Sequence, residues 1–241
     1  VSEAPVRRGS LRERKRAATI EEIKSVAIDQ LAADSGQMTL RGVAREVGLT
    51  VQSLYNYFPS REDLITALVA DAHNALADAV QTAAREQREL PASERLVRVA
   101  LAYRRWAVEH RARFLLIYGT PVPGYRAPEE GPTTEAARRL GATLVEVVFG
   151  DWSAAELGGV RRPGEDDRPI PALVTAAELL SPGMPPAALG LGLDLWGRIH
   201  GPVMLEILGH LPWLGPDAEA NYRDTVIRAA ADVQRVREHG V

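Results

Sequence analysis

Residues 39–64 read TLRGVAREVGLTVQSLYNYFPSREDL, and this stretch decides the fold. Thr39 stands at an N-cap position, and Leu40, Val43, Ala44 and Val47 form the inward stripe of a short helix. Gly48 suits the left-handed conformation that ends a helix and turns the chain sharply. Thr50 is placed to cap the next helix, from which Leu54 and Phe58 face inward four residues apart. Pro59 ends that helix, because the residue before a proline is pushed out of the helical region. Ser60 with Asp63 resembles a capping box, Asp standing in for Glu or Gln, and opens a long helix at Arg61. Upstream, Ile20, Ile23, Ala27 and Leu31 recur at three- and four-residue steps, so a further helix is expected over about residues 12–34, closed by Gly36.

Two short helices joined at a glycine turn, with a helix on either side, read as a helix-turn-helix, whose second helix enters the DNA major groove. Its outer faces carry Gln52, Ser53, Tyr55 and Asn56. A helix that needed only to be soluble would more often carry Glu, Lys or Arg there. Gln and Asn offer a paired donor and acceptor to adenine, Ser contacts several bases, and Tyr reaches phosphates or thymine methyl groups. Ahead of the unit, Arg7, Arg8, Arg12, Arg14, Lys15 and Arg16 stand against Glu3 and Glu13. Residues 1–16 therefore read as a basic arm supplying phosphate contacts, the alternative being a solubilising tail.

The chain has 241 residues, 46% apolar and 25% charged, with net charge −3, which describes an ordinary soluble globule and argues against indiscriminate nucleic-acid binding. It has no cysteine, so disulfides and thiolate metal sites are excluded. No apolar run approaches the roughly 18 residues of a membrane span, and the first residues lack a signal-peptide core. A cytoplasmic location is expected.

The segment over roughly residues 18–68 resembles the DNA-binding domain of the TetR family of bacterial transcription regulators. The resemblance rests on Thr39, Arg41, the Val43-Ala44 pair, Gly48, the Leu54-Tyr55-x-Tyr57-Phe58 run and Arg61-Glu62-x-Leu64, where the family often has Lys for Arg61. It implies base or groove contacts from Arg41, Val51, Gln52, Ser53 and Tyr55, and phosphate contacts from Thr39, Thr50, Asn56, Tyr57 and Arg61. Val51 and Asn56 occupy positions that vary in the family, which leaves the operator sequence open.

The expected organisation is a helix-turn-helix domain over 17–64, a connecting helix over 65–84 and an effector-binding and dimerisation domain over 85–241. The connector carries Ile65, Leu68, Val69, Ala72, Leu76, Ala79 and Val80. After a break at 91–93, Ser93 is placed to cap a helix with Leu96, Val99, Ala100, Tyr103, Trp106 and Ala107. Residues 111–118 continue the apolar pattern through Phe114. Three proline-rich stretches, 119–132, 158–171 and 181–186, hold ten of the 16 prolines and read as loops. The most apolar segment, 189–211, has one stripe of Trp196, His200, Met204 and Leu208 and an adjacent row of Leu195, Ile199, Val203 and Ile207. Gly197 and Gly201 permit close helix approach, and Pro202 is expected to kink this helix. A last helix over about 217–237 offers Tyr222, Val226, Ala229, Val233 and Val236. Paired across a two-fold axis, these two helices would make a four-helix bundle; intrachain packing is the alternative. The Trp196-x-x-x-His200-Gly201 pattern resembles the Trp-His-Gly type of C-terminal domain found in part of the TetR family, which implies effector binding and dimerisation there.

His200 beside Trp196 is either a hydrogen-bonded core histidine or the lone polar anchor of an apolar ligand pocket. Tyr103, Trp106, Phe114, Tyr118, Trp152 and Met204 are candidate walls of that pocket, or plain core. Glu206 and His210 sit four apart without a third ligand, so no metal is expected. Glu129-Glu130 and Glu165-Asp166-Asp167 read as solvated loop charge. No G-x-S-x-G, P-loop or G-x-G-x-x-G pattern appears, and Gly190-x-Gly192 lacks the strand a dinucleotide site needs, so neither cofactor nor enzyme activity is expected. The expectation is an all-α, homodimeric DNA-binding transcriptional regulator, a repressor released from a palindromic double-stranded DNA operator by a small, mainly apolar effector. A ligand-independent architectural or division-linked protein with the same head stands as the alternative, and a small-molecule enzyme last.

Overall fold

The computed structural model describes residues 10–33, 38–161 and 168–240. The expectations for Arg7, Arg8, Gly36 and the Glu165-Asp166-Asp167 cluster lie outside the described residues. Among the described residues the chain is helical: α1 (Leu11–Ala33), α2 (Leu40–Val47), α3 (Val51–Tyr55), α4 (Arg61–Glu86), α5 (Ala92–Glu109), α6 (Arg111–Tyr118), α7 (Pro132–Phe149), α8 (Ala154–Gly159), α9 (Pro171–Leu180), α10 (Pro186–Ile207), a 3₁₀ turn (Pro212–Asp217) and α11 (Ala218–His239). Two compact units share these elements, the first formed by Val1–Val69 with Ala112–Pro128, the second by Ala70–Arg111 with Glu129–Val241.

In the first unit, Ile23 and Ala27 of α1, Val43 and Ala44 of α2, Leu54 of α3 and Leu64, Ile65 and Leu68 of α4 close one apolar core. Each short helix has the terminus its sequence calls for. Thr39 Oγ1 accepts from the Gly42 amide at 3.1 Å, and Thr50 Oγ1 from the Ser53 amide at 3.0 Å. Gly48 adopts φ 75, ψ 24, and the Leu49 amide reaches back to the Ala44 carbonyl at 2.8 Å, the 6→1 bond of a Schellman ending. A side chain on Gly42 would meet Gln30 Oε1 of α1 at 3.0 Å, so this glycine lets α1 and α2 approach.

Three local differences from expectation have physical causes. First, α3 is five residues long instead of running to Phe58. The Tyr57 and Phe58 amides both bond to the Leu54 carbonyl, at 2.9 and 3.0 Å, so the chain tightens into a turn before Pro59. Second, the Ser60–Asp63 cap is half a box. Ser60 Oγ accepts from the Asp63 amide at 3.0 Å, but the shorter Asp carboxylate takes the Ser60 hydroxyl, at 2.7 Å, instead of its backbone amide. Third, Ser93 does not cap α5, because the helix has already begun at Ala92 after Pro91. A full capping box does open α1, where the Ser10 amide donates to Glu13 at 2.6 Å and the Glu13 amide to Ser10 Oγ at 3.3 Å.

The first unit extends beyond residue 64. Leu116 of α6 and Val122 and Tyr125 of the proline-rich loop pack on its core, and the hydroxyls of Tyr125 and Thr66 are hydrogen-bonded at 3.0 Å. The compact units part after residues 69, 111 and 128, beside expected domain bounds at 64 and 84. α4 continues from one unit into the other, and residues 112–128 return to the helix-turn-helix core as a strap.

In the second unit α5 packs on α11, α10 on α11, α9 and α5, and α7 on α5 and α9. The row Leu195, Ile199, Val203 and Ile207 is the buried face of α10. Tyr222, Val226, Ala229 and Val233 are that of α11. α10 runs through Pro202 as one helix. Pro132, Pro171 and Pro186 each open a helix at its first residue, where the missing amide costs nothing, so three prolines that read as loop start helices instead. Polar ties cross the packed helices. Buried Arg104 of α5 forks onto both oxygens of Glu206 at 2.8 and 2.6 Å and reaches Glu219 of α11 at 3.2 Å. Arg139 of α7 donates to Asp78 and Gln81 of α4 at 2.5 and 2.6 Å. Arg237 of α11 donates to Glu156 at 2.7 Å and, with the Ser153 cap, holds that carboxyl down at about 2.

Candidate nucleic-acid interface

Leu54 is fully buried, and its burial fixes which way α3 faces. Gln52, Tyr55 and Asn56 are exposed, with Tyr55 43% accessible despite its aromatic ring, while Val51 and Tyr57 lie partly buried against the core. Arg41 on α2 is exposed as well. Beside α3, a cleft of about 760 Å³ is lined by Leu11, Arg12, Lys15, Arg16 and Thr19 of α1 and by Leu49, Ser53, Asn56 and Tyr57. Its lining carries three cations and no carboxylate. A concave surface of that charge beside an outward amide- and phenol-bearing helix is suited to a phosphate backbone flanking a groove.

The ten residues expected to touch DNA divide by what else they do. Gln52, Tyr55, Asn56 and Arg41 present free surface. Thr39 and Thr50 cap helices, and the Thr50 and Ser53 hydroxyls share a hydrogen bond at 2.8 Å. Arg61 is drawn inward: Nε donates to the Met38 carbonyl at 2.9 Å and Nη1 to the Pro123 carbonyl at 3.3 Å. Two of its donors thus hold the start of α2 and the strap. Thr19 was not expected at this surface, because its position on α1 shows only once α1 and α3 are side by side.

In the second unit Tyr103, Trp196 and His200 come together. Trp196 stacks on His200 with ring centroids 4.6 Å apart, and Tyr103 Oη is hydrogen-bonded to His200 Nδ1 at 2.8 Å. Burial pushes His200 below its ordinary value, so the ring is neutral near pH 7. Met204 is half-buried one turn along, and Trp106 is buried against His110. The other candidate walls lie elsewhere. Trp152 packs on Phe149 and beneath Arg237, while Phe114 and Tyr118 pair at 5.1 Å within the first unit. Glu206, four residues from His210, has both oxygens taken by Arg104.

A chain helical throughout its described residues and carrying this head belongs by class to the helix-turn-helix proteins. Comparison with known proteins gives the family. Residues 27–68 match the model for bacterial regulatory proteins of the tetR family, and residues 96–229 match the "Tetracyclin repressor-like, C-terminal domain". The chain belongs to the TetR family. HTH-type transcriptional regulators of Mycobacterium tuberculosis (Rv1816) and Mycobacterium bovis (Mb1846) are each 35% identical over 144 residues, 60% of this chain and 60% of theirs. The chain thus spans less than two thirds of the length of these curated relatives. A crystal structure described as regulatory protein SCO4313 is 31% identical, with TM-score 0.72 over 91% of this chain and 98% of that one. A tetR-family transcriptional regulator from Streptomyces coelicolor shares the fold at TM-score 0.56 and 20% identity, over 92% of this chain and 82% of its own. Each of these similar proteins is described as a regulator.

Proposed function

We propose that this protein is a homodimeric, DNA-binding transcriptional repressor that leaves a near-palindromic operator when a small, mainly apolar effector binds its second unit. The observation that carries the reading is the orientation of α3, with Leu54 wholly buried, Gln52, Tyr55 and Asn56 outward, and a cleft of three cations alongside. Two copies would enter successive major grooves about 34–36 Å apart. Exposed apolar residues support pairing through α10 and α11. Leu193 and Leu205 of α10 and Ile227 of α11 are each 45–49% accessible, and a side chain added at Gly197 or Gly201 would meet nothing within 4 Å. That face has room for a close-packed helix from a second copy. Tyr103, Trp196 and His200 supply an aromatic wall with one polar anchor, the usual make-up of a small-ligand site.

The test is a gel-shift titration with an operator selected by the wild-type chain, alongside sedimentation. Gln52→Ala and Tyr55→Ala should each weaken binding, by roughly 1–3 kcal/mol where a bidentate base contact is lost, and leave the dimer intact. Unchanged operator binding in the double variant would show that α3 is not the reading element.

A further inference from the structure

We propose that Arg16 is a positioning residue of the recognition helix, holding the turn that ends α3, and with it Tyr57, from the neighbouring helix α1. The inference rests on α3 as the reading element and assigns the residue that sets its geometry. Arg16 lies 40 residues before Asn56 in sequence, yet its Nη2 donates to the Asn56 carbonyl at 3.3 Å, and its guanidinium carbon stands 4.8 Å from the Tyr57 ring centroid. Both contacts fall on the turn that follows a helix only five residues long with one buried side chain, Leu54.

Such a helix has too few turns to be stable by itself, and its Ser53 and Leu54 carbonyls are closed by amides of the following turn, the same turn that Arg16 touches. A cation there is favoured by the helix dipole, and a planar guanidinium can stack on a ring while it donates along its edge. α1 is a firm base for the contact, since Ile23 and Ala27 are fully buried in the core. Arg12 and Lys15 line the same cleft and add two cations for phosphate attraction, while the contacts to Asn56 and Tyr57 give the positioning role to Arg16.

Arg16→Lys separates the two roles because it keeps the charge and removes the planar fork. The probes are a duplex selected from a random pool by the full-length wild-type chain and a scrambled duplex of equal length. Arg16→Lys should lower affinity for the selected duplex about tenfold. Affinity for the scrambled duplex, the dependence of binding on salt and the melting temperature should all hold. In a Tyr57→Leu background, where the ring is gone and the Asn56 bond remains, the same change should cost less. Affinity for the selected duplex retained within twofold, an equal loss on both duplexes, a lowered melting temperature, or an undiminished cost beside Tyr57→Leu would each overturn the assignment. If the wild-type chain selects no sequence at all, the reading of α3 fails first and the inference falls with it, before Arg16 has been altered.

Discussion

Leu54→Ala tests how α3 is held outward without touching its outer face. Leu54 is the only buried side chain of the helix, and its carbonyl receives the two amides that close the following turn. Replacing a fully buried leucine with alanine costs about 2–5 kcal/mol, the lost transfer energy plus the cavity left behind. A loss of about 3 kcal/mol, read as free energy of local opening, speeds exchange of the amides it protects by about 150-fold. That figure is capped by the stability of the first unit, because opening cannot cost less than nothing.

Hydrogen exchange read by mass spectrometry resolves the effect by segment. Peptides over 40–58 should lose protection in Leu54→Ala, while those of α10 and α11 keep theirs, since their core is built from other residues. Operator binding should fall with the lost protection. Gln52→Ala is the companion: it should lose operator binding with exchange unchanged. Normal protection over 40–58 in Leu54→Ala, together with intact operator binding, would refute the argument that this one side chain orients the helix.

Three further outcomes follow from the second unit. His200 is held below its ordinary 6.5 by burial, so the unfolded chain takes the proton more readily. Its contribution to stability is complete above about pH 6.5 and lost as the pH falls below that; melting curves from pH 8 to 5 should show this, and His200→Asn should flatten them. Arg104→Ala strips Glu206 of both its bonds in a partly buried site and should lower stability by about 3 kcal/mol in urea titrations, most of it recovered when Glu206→Ala is added. Leu205→Glu with Ile227→Glu places charge on the exposed face of α10 and α11 and should yield monomers in sedimentation, with each monomer folded because both side chains lie outside the core.

What was legible in the sequence follows from how local each signal is. Thr39, Gly48 and Thr50 act within four residues of their own positions, so the turn between α2 and α3 could be placed residue by residue. The Ser10-x-x-Glu13 box is equally local, and an S-x-x-E signature marks it. Arg61 shows the opposite case. An arginine at a helix start reads the same whether it faces a phosphate or two carbonyls, and its acceptors, on Met38 and Pro123, are 23 and 62 residues away. The strap over 112–128 has no periodicity after Tyr118, so nothing in its pattern assigns Val122 and Tyr125 to the first unit. In the second unit Trp196 and His200 stand four apart on one helix, a spacing that brings their rings together, whereas Phe114, Tyr118 and Trp152 can be grouped with them only by composition, which does not encode distance.

The strap also gives the first unit a dependence that a free-standing three-helix head would not have. Both its ends continue into the second unit, after Arg111 and before Glu129, and Arg111 Nε donates to the Ile207 carbonyl of α10 at 2.9 Å. A change in α10 therefore has a route, through that hydrogen bond and then the backbone, to the segment that packs on the helix-turn-helix core, besides α4. Tyr125→Phe isolates that route, because it deletes one hydrogen bond, to Thr66, and keeps the ring in place. A part-buried neutral bond is worth about 1 kcal/mol net, so exchange across the first unit should rise about fivefold and operator affinity fall slightly, with the dimer unchanged. An effector acts only by binding one state better than the other. If the strap carries part of that difference, Tyr125→Phe should also shrink the effector's influence on operator affinity, and an influence of full size would leave α4 as the sole carrier.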